Sequence, residues 1–498
     1  MKRWRAVLGN ERGVALVLAM MILLTLTGLV LAFLSVSAFE PQISRNLADT
    51  TRARYLAEAG LEVGFNSLIA TADASNAWSG LLTGATTASP WVILPNMSAA
   101  TLPGLDSASG SFTVSVRNDY QASDNALTGV SVDTSVTTDG NQIVVMRATG
   151  TFNNASKTLE VVVKRLALPP FPGAVNLPGS QADTYLNTQN FEMDGRDYSC
   201  ASDCDTVSNW TTTDPAGTRK YGLATQTGTQ ANVGMTYEAR VESAFGTSGS
   251  CNSTCSNNKK ASVMGKSEVD GSFTTGLNTI QADASLNPSV MSNFLSKLAA
   301  FPGTTVLQST MACPMVFSGR SGTAPDGQLN SSRPTLSNGG AGCSSLLPPA
   351  DAVNGCSGVC VDLGSRDNPK LVYFRGELDT TSAFTGLKLN NSSSDPPIKG
   401  AGILVVEDGD MRNYGNFEWD GVVIVTGAYT SAAFFSGSVT KVRGALAALE
   451  GQAGETNGYF EFYLAALANQ FSIKNSKQNV DMVQKMRALH SLSSWREI

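Results

Sequence analysis

Residues 11–39 read ERGVALVLAMMILLTLTGLVLAFLSVSAF, and residues 14–39 carry no charged side chain. As a helix rising about 1.5 Å per residue, this run of 26 residues would span about 39 Å, more than the roughly 30 Å hydrocarbon core of a bilayer. The apolar region of a secretory signal peptide is usually only about 7–15 residues long. The run therefore predicts a retained membrane-spanning helix, with signal cleavage near Ala38 as the alternative.

The flanks of the apolar run predict its orientation and its continuation. Residues 1–12 hold Lys2, Arg3, Arg5 and Arg12 against the single acid Glu11, which indicates a cytoplasmic flank by the positive-inside rule. Beyond the run, a proline without an amide donor should kink the helix. Apolar residues then continue at helical spacing, in two stripes formed by Ile43, Leu47, Thr51 and Tyr55 and by Leu61, Phe65, Leu68 and Ile69.

Composition narrows the possible functions. The 498 residues suggest about three domains. A net charge of −6 gives no electrostatic footprint for nucleic acid. The only histidine is His490, expected to be solvated or packed, and there is no G-x-S-x-G motif, so histidine-dependent catalysis is disfavoured. We expect neither an enzyme nor a cofactor.

Two stretches carry a family resemblance. The leader ending in Gly13 directly before an apolar helix, and RARYLAEAGLE at 52–62, resemble the N-terminal region of PilX-type minor pilins, which are related to the K-type pseudopilins of type II secretion. The second stretch contains Ala57, Glu58, Ala59 and Gly60. The resemblance implies cleavage after Gly13 by a prepilin peptidase, methylation of Val14, and a helix that moves from the bilayer into a filament core.

The resemblance also implies partners and a location. The partners would be other minor and major pilins, the prepilin peptidase, the inner-membrane assembly platform and a tip adhesin. The chain would be a single-pass inner-membrane protein before assembly and then lie at a pilus tip, periplasmic or extracellular. Major pilins carry a glutamate at the fifth mature position, where this chain has Leu18. In the pseudopilin relatives that absence accompanies a place at the filament tip, so we expect a role at the tip or in initiation.

The remainder of the chain predicts an α+β fold with a long helix on an antiparallel sheet. Alternating apolar residues at 111–117 predict a strand, and 142–152 with 157–164 predict a hairpin. Three prolines within 167–173 predict a domain boundary. The expected organisation is a leader (1–13), an assembly helix (14–39), a pilin-like body (40–166), a loop-rich cysteine region (174–365) and a β-solenoid-like domain with a cap (366–498).

All eight cysteines lie in the region 174–365. Three of the four sequential pairs have the spacing C-x3-C, which favours disulfides in an oxidising compartment, although the connectivity does not follow from the sequence. The first four also fit a four-thiolate zinc site, which is the alternative. The candidates for disulfides are Cys200, Cys204, Cys251, Cys255, Cys313, Cys343, Cys356 and Cys360.

Short apolar runs recur about every 15–20 residues from 371 to 446. Such a period favours a parallel β-solenoid, with an antiparallel sandwich as the alternative, and the closing residues 494–498 could form another strand. Acidic residues lie between these runs, and turn geometry is their simplest explanation. Asp408 and Asp410 begin like a calcium loop, and together with Asp420 they could serve a polysaccharide-active enzyme. An anchored enzyme or an adhesive, calcium-binding module is therefore the competing class.

Overall fold

The computed structural model describes most of the chain and divides it into two compact units. The described residues are 11–71, 78–182, 184–212, 217–230, 233–247, 251–320, 334–338, 343–347, 359, 361–377, 385–390, 397–427, 432–434, 439–450, 462–464 and 471–498. The first unit contains the described residues up to Leu68, with Leu81–Val163 and Leu492–Ile498, and the second contains Ile69–Gly80 and Lys164–Ser491. The second unit is thus inserted, along the chain, before the last strand of the first.

The first unit is formed by one long helix and a five-stranded sheet in the order β1-β2-β3-β4-β29. The helix is continuous through Pro41. Its elements are α1 (Glu11–Thr71), β1 (Val92–Ile93), β2 (Ser111–Asn118), α2 (Asn125–Thr128), β3 (Ile143–Phe152), β4 (Ala155–Arg165) and β29 (His490–Glu497).

The sheet of the first unit follows the hydrophobic pattern of the sequence. On β2, Phe112, Val114 and Val116 are buried and alternate with partly exposed residues up to Ser115, which confirms the predicted strand. Strands β3 and β4 are hydrogen-bonded neighbours joined by Asn153 and Asn154. A connection of two residues allows only antiparallel pairing, so the predicted hairpin is also confirmed.

Strand β29 completes this sheet next to β4. Residues 494–497 of the predicted closing strand belong to it, and the strand begins earlier, at His490. The buried Glu160 of β4 lies between two cations, since its carboxylate oxygens pair with Arg147 and Arg496. The amide of Ile498 donates to the carbonyl of Thr158 at 3.0 Å. These contacts attach residues 492–498 to a hairpin more than 300 positions earlier in the chain.

The second unit contains two large sheets that receive successive strands alternately. One has the order β14-β13-β7-β28-β26-β24-β22-β20-β16, and the other the order β18-β17-β21-β23-β25-β27-β6. Pairing is parallel from β20 to β28 in the first sheet and from β21 to β6 in the second. Antiparallel pairing, which the sandwich alternative requires, is not found between these neighbours.

The strands of the second unit are β5 (Gly173–Leu177), β6 (Thr184–Leu186), β7 (Phe191–Asp194), β8 (Tyr198–Cys200), β9 (Trp210–Thr212), β10 (Tyr221–Thr225), β11 (Thr229–Gln230), β12 (Met235–Thr236), β13 (Val263–Lys266), β14 (Phe273–Thr275), β15 (Ile280–Ala282), β16 (Val306–Gln308), β17 (Met315–Arg320), β18 (Pro334–Asn338), β19 (Gly364–Ser365), β20 (Asn368–Arg375), β21 (Thr385–Leu389), β22 (Ile398–Glu407), β23 (Asp410–Asn413), β24 (Phe417–Gly427), β25 (Ala432–Phe434), β26 (Thr440–Glu450), β27 (Phe462–Leu464) and β28 (Phe471–Asn475). Its helices are α3 (Tyr237–Ser243), α4 (Ser253–Ala261), α5 (Pro288–Ala299) and α6 (Lys477–Gln484).

Side chains on the long strands of the first large sheet face two different environments. On β24, Trp419 and Val423 face a core shared with the second sheet. Outward residues change character along the strand, from Glu418 and Asp420 to the apolar Val422. The apolar part is covered by residues of α5 and α6, including Leu295 and Val483. Glu418 and Asp420 lie outside this apolar cluster.

A column of three glycines crosses this sheet where the outward side chains change character. Gly402 pairs with Gly421, which pairs with Gly444. At Gly421 φ is +136°, and a Cβ atom there would lie 2.2 Å from the carbonyl oxygen of Gly402. Only glycine combines this backbone conformation with so close an approach.

The region 174–365 is more regular than its loop-rich composition predicts, because it contributes strands β5–β19 and helices α3–α5. Several of these strands join sheets built by residues beyond 365: β5, β6 and β7 pair with β26, β27 and β28. The two segments that the sequence separates at 365/366 therefore share one unit. Within 452–490, where the sequence predicts the cap, the described residues form β27, β28, α6, a 3₁₀ turn at Arg487–Leu489 and the first residue of β29.

Six of the cysteines form disulfides between sequential neighbours. The pairs are Cys200–Cys204, Cys251–Cys255 and Cys313–Cys343. The four cysteines of the zinc alternative are therefore oxidised in two separate pairs. Cys356 and Cys360 lie outside the described residues.

Candidate assembly helix and head groove

The apolar half of α1 is uncovered along its whole described length. Gly13 and Val14 lie in the first turns of the helix, and Leu18 is 54% exposed. The segment Gly13–Thr71 has a window of mean hydropathy 2.7 with none of it buried. By length and composition this helix could cross a membrane once. Cleavage after Gly13 and methylation of Val14 remain predictions.

In the second half of α1, residues 52–62, which carry the family resemblance, pack against the sheet. Ala57 is fully buried, and a Cβ atom at Gly60 would lie 3.0 Å from the Phe112 ring. Small residues at these positions let the helix approach the sheet, while Ala59 and Glu58 lie toward its partly exposed side. Glu58, one turn further along the helix, accepts from Arg54 Nε at 3.1 Å.

The two predicted apolar stripes of α1 differ in burial. Leu61, Phe65 and Leu68 are buried. The stripe of Ile43, Leu47 and Tyr55, by contrast, remains more than 60% exposed. An isolated chain thus presents apolar surface beyond the membrane-spanning length.

The structure separates the acidic residues that the sequence groups together. Asp408 occupies a turn with φ +56°, and Asp410 is buried on β23 beside Arg412 at 3.3 Å. The neighbouring Glu407 pairs with Arg375 and accepts from the Tyr373 hydroxyl at 2.8 Å. Across the described segments, no group of three or more His, Cys, Asp or Glu side chains is placed to hold a metal ion.

Asp420 belongs to a different cluster, on the outward face of the first large sheet. Its Oδ1 lies 2.8 Å from Nε of Arg443, and Arg443 also lies 3.3 Å from Glu418. Burial raises the pKa of Asp420 to about 6, against the opposing pull of Arg443 and Arg366. The guanidinium groups of Arg366 and Arg443 each lie 4.7 Å from the Trp210 ring. This carboxylate is held in ion pairs, and Asp408 and Asp410 lie in another part of the unit.

Parallel register places charged residues of successive strands side by side in this cluster. Glu418 of β24 is opposite Lys441 of β26, which is opposite Ser472 of β28, which is opposite Glu192 of β7. Lys441 Nζ lies 3.1 Å from Glu418. In the next row, Arg443 of β26 is opposite Lys474 of β28.

The β8–β9 hairpin, in which the Cys200–Cys204 disulfide joins the end of β8 to the connecting loop, stands beside these rows. The indole of Trp210 donates to the Cys204 carbonyl at 2.8 Å, and Gln478 of α6 holds the Cys200 backbone through both its amide groups. Between the hairpin and the rows lies a cavity of 730 Å³, which we call the head groove. Side chains that define it are Gln189, Glu192, Val207, Trp210, Lys441 and Lys474.

Sequence reasoning missed the head groove. Its members come from three parts of the chain, at 189–210, 439–443 and 471–474. The available signal was a pair of polar or charged residues at i,i+2 near the start of adjacent strands, as in Glu418 and Asp420 or Lys441 and Arg443. That signal shows which side chains share a face, but not which strands are neighbours.

Comparisons with known proteins give little support for any assignment. No protein-family model and no curated protein matches the chain. Among solved structures it is similar to the competence-associated pilin ComZ from Thermus thermophilus, with 12% identity and a TM-score of 0.25 over 90% of this chain and 97% of that one. So low a TM-score establishes no common fold, and the resemblance to PilX-type pilins rests on the residues of α1.

Proposed function

We propose that this chain is a minor pilin of the PilX type, a structural subunit of a type IV pilus or a related filament. In this proposal a prepilin peptidase cuts after Gly13, Val14 becomes the methylated first residue, and the chain moves from the inner membrane into a filament with other pilins. Its role is assembly, at the tip or in initiation, and it is not catalytic.

The observation that carries the proposal is the exposure of α1. Residues 14–37 are exposed throughout, and they have no charged side chain. So large an apolar surface must be covered by lipid or by other helices, because about 25 cal/mol is lost for each Å² left in water. The sequence motifs at Gly13 and at Ala57–Gly60 favour burial of this surface in a filament core, against the helices of other subunits.

Two features support a place at the tip. Leu18 cannot supply the buried carboxylate that would pair with the amine of a neighbouring subunit. The second unit is also large, comprising more than 300 residues inserted before β29. We expect such a bulk to be accommodated more easily at the end of a filament than between repeated subunits along its shaft.

We further interpret the alternating parallel sheets of the second unit as a short β-solenoid. Strands β20 to β28 alternate between the two sheets, so each successive pair forms one coil stacked on the preceding one. The coil packs a shared interior of aromatic residues, including Phe374, Phe434 and Phe471. In this interpretation the head groove lies on the outward face of the solenoid.

N-terminal sequencing of the protein from membranes and from purified filaments tests the proposed function. We expect methylated Val14 at the N terminus of the filament-associated form. A Gly13→Leu variant should stay uncut and absent from filaments, whereas Gly28→Leu, which adds the same side chain at an open position of the helix, should be processed normally. An intact Met1 in filaments, or a mature chain that never leaves the membrane, contradicts the proposal.

A further inference from the structure

The head groove has the size and composition of a ligand site, and assembly through α1 makes no use of it. Its 730 Å³ falls within the roughly 300–1,000 Å³ range of small-molecule sites. Four charged side chains line it, of which Lys441, Arg443 and Lys474 are cations and Glu192 is an acid. Amide and hydroxyl groups from Gln189, Asn190 and Ser472 lie along the same walls.

We propose that the head groove binds an acidic oligosaccharide, a sugar chain that bears carboxylate groups. Lysine ammonium groups provide the complementary charge, and amide and hydroxyl side chains can both donate to and accept from sugar hydroxyls. The half-buried Val439 and the exposed Val207 supply apolar surface for the carbon faces of the rings. The proposal does not depend on filament assembly.

Lys441 and Lys474 are each held in position by an ion pair. Lys474 Nζ lies 3.2 Å from Glu192 and 4.5 Å from the centre of the Tyr198 ring, and Lys441 Nζ lies 3.1 Å from Glu418. Each lysine side chain keeps more than 20% of its surface exposed. An ammonium group has three donors, so each can bind a further anion without leaving its present partner.

An acidic peptide is a poorer fit to the same groove. Extended peptides are usually bound by adding a strand to a free sheet edge. The strands beneath this groove are internal: β26 pairs with both β24 and β28, and β28 pairs with both β26 and β7. Their backbone groups are already used, so recognition must come from side chains, as it does for sugars.

Calorimetric titration of the full chain in detergent micelles tests the proposal. The probes are hexagalacturonate, its uncharged methyl ester and hexaglutamate. We expect hexagalacturonate to bind, its affinity to fall with added salt, and both the ester and the peptide to bind about tenfold or more weakly.

Variants assign the binding to the head groove. The double substitution Lys441→Gln with Lys474→Gln should weaken hexagalacturonate binding about tenfold or more, while Lys474→Arg keeps the charge and should stay within about threefold. The matched control, Lys266→Gln with Lys388→Gln, removes the same charge from residues outside the groove. Unchanged thermal unfolding of the groove variants shows that they remain folded.

Three results overturn the proposal. The first is the absence of hexagalacturonate binding by the folded wild-type chain. The second is equal binding of the ester or of the peptide, which would assign a neutral glycan or an acidic peptide instead. The third is loss of binding in the Lys266/Lys388 control as large as in the groove variants, which would indicate nonspecific charge attraction.

Discussion

At the scale of single residues, His490 shows how burial decides a role that sequence leaves open. Its side chain is buried, with Nδ1 2.9 Å from the Met486 carbonyl oxygen and its ring 6.0 Å from the Trp78 ring. Burial lowers its pKa to about 4, from an ordinary value near 6.5. The histidine is therefore a neutral, packed side chain at neutral pH, one of the two outcomes predicted.

Stability of the second unit should fall on acidification because of this residue. Between pH 6.5 and pH 4 the unfolded chain binds a proton that the folded chain does not, so the free energy of unfolding decreases as pH decreases. The shift corresponds to at most about 3 kcal/mol. In urea unfolding at pH 7.5 and 4.5, His490→Gln should lose less stability than the wild type.

The buried carboxylate of Asp420 has the opposite effect on stability, and it is present both in the wild type and in the His490→Gln variant. The pKa of Asp420 is raised to about 6 by burial, so its protonation on acidification favours the folded state. Because this group is present with and without His490, the difference between the two proteins isolates the histidine. Equal losses of stability in wild type and variant would show that His490 titrates normally.

At the scale of elements, helix α1 and the sheet of the first unit approach closely through glycines. A Cβ atom at Gly64 would lie 2.7 Å from Val114 Cγ1 and 2.9 Å from Met146 Sδ. A Cβ atom at Gly150 would lie 2.1 Å from the Ala53 carbonyl oxygen. The helix and the sheet therefore leave no space for side chains at these positions.

Gly64→Leu should accordingly destabilise the first unit by about 1–3 kcal/mol, the usual range for overpacking a core. Denaturant unfolding of the full chain in micelles measures the effect. Gly28→Leu serves as the control, because a Cβ atom there meets no atom within 4 Å. If the two variants unfold at the same denaturant concentration, helix and sheet are less tightly packed than described.

Element type was predictable from local sequence, whereas neighbour relations were not. The apolar run at 14–39 and the alternation around Val114 encode a helix and a strand within a few residues. By contrast, the pairing of β7 with β28 joins Glu192 to Ser472. Register between such distant strands depends on packing of the whole sheet, so neither the head groove nor the inclusion of 174–365 in the same sheets could be read from the sequence.

At the scale of the whole molecule, the first unit is discontinuous in sequence. Helix α1 and strands β1–β4 are made from residues before 166, and β29 returns after the entire second unit. The ion pairs that Arg496 makes with Glu160 and Glu497 with Lys157 hold this returning strand. Completion of the first unit therefore requires residues that follow the second unit in the chain.

A chain ending at Ser491 should have a weakened first unit and an intact second one. Loss of β29 exposes the edge of β4 and removes one of the two cations beside the buried Glu160, at a cost of about 1–3 kcal/mol for that group alone. Hydrogen exchange resolved by segment should show faster exchange in β3 and β4 and unchanged exchange in β22–β26. Equal protection of β4 in both chains would contradict this account.

The position of β29 also orders events during synthesis. Residues 490–497 are synthesised only after residues 173–489, so the five-stranded sheet lacks β29 while the larger unit is translated. A polypeptide released before residue 490 lacks the strand that pairs with β4. Only molecules in which residues 173–489 have been synthesised can add β29 to the sheet of the first unit.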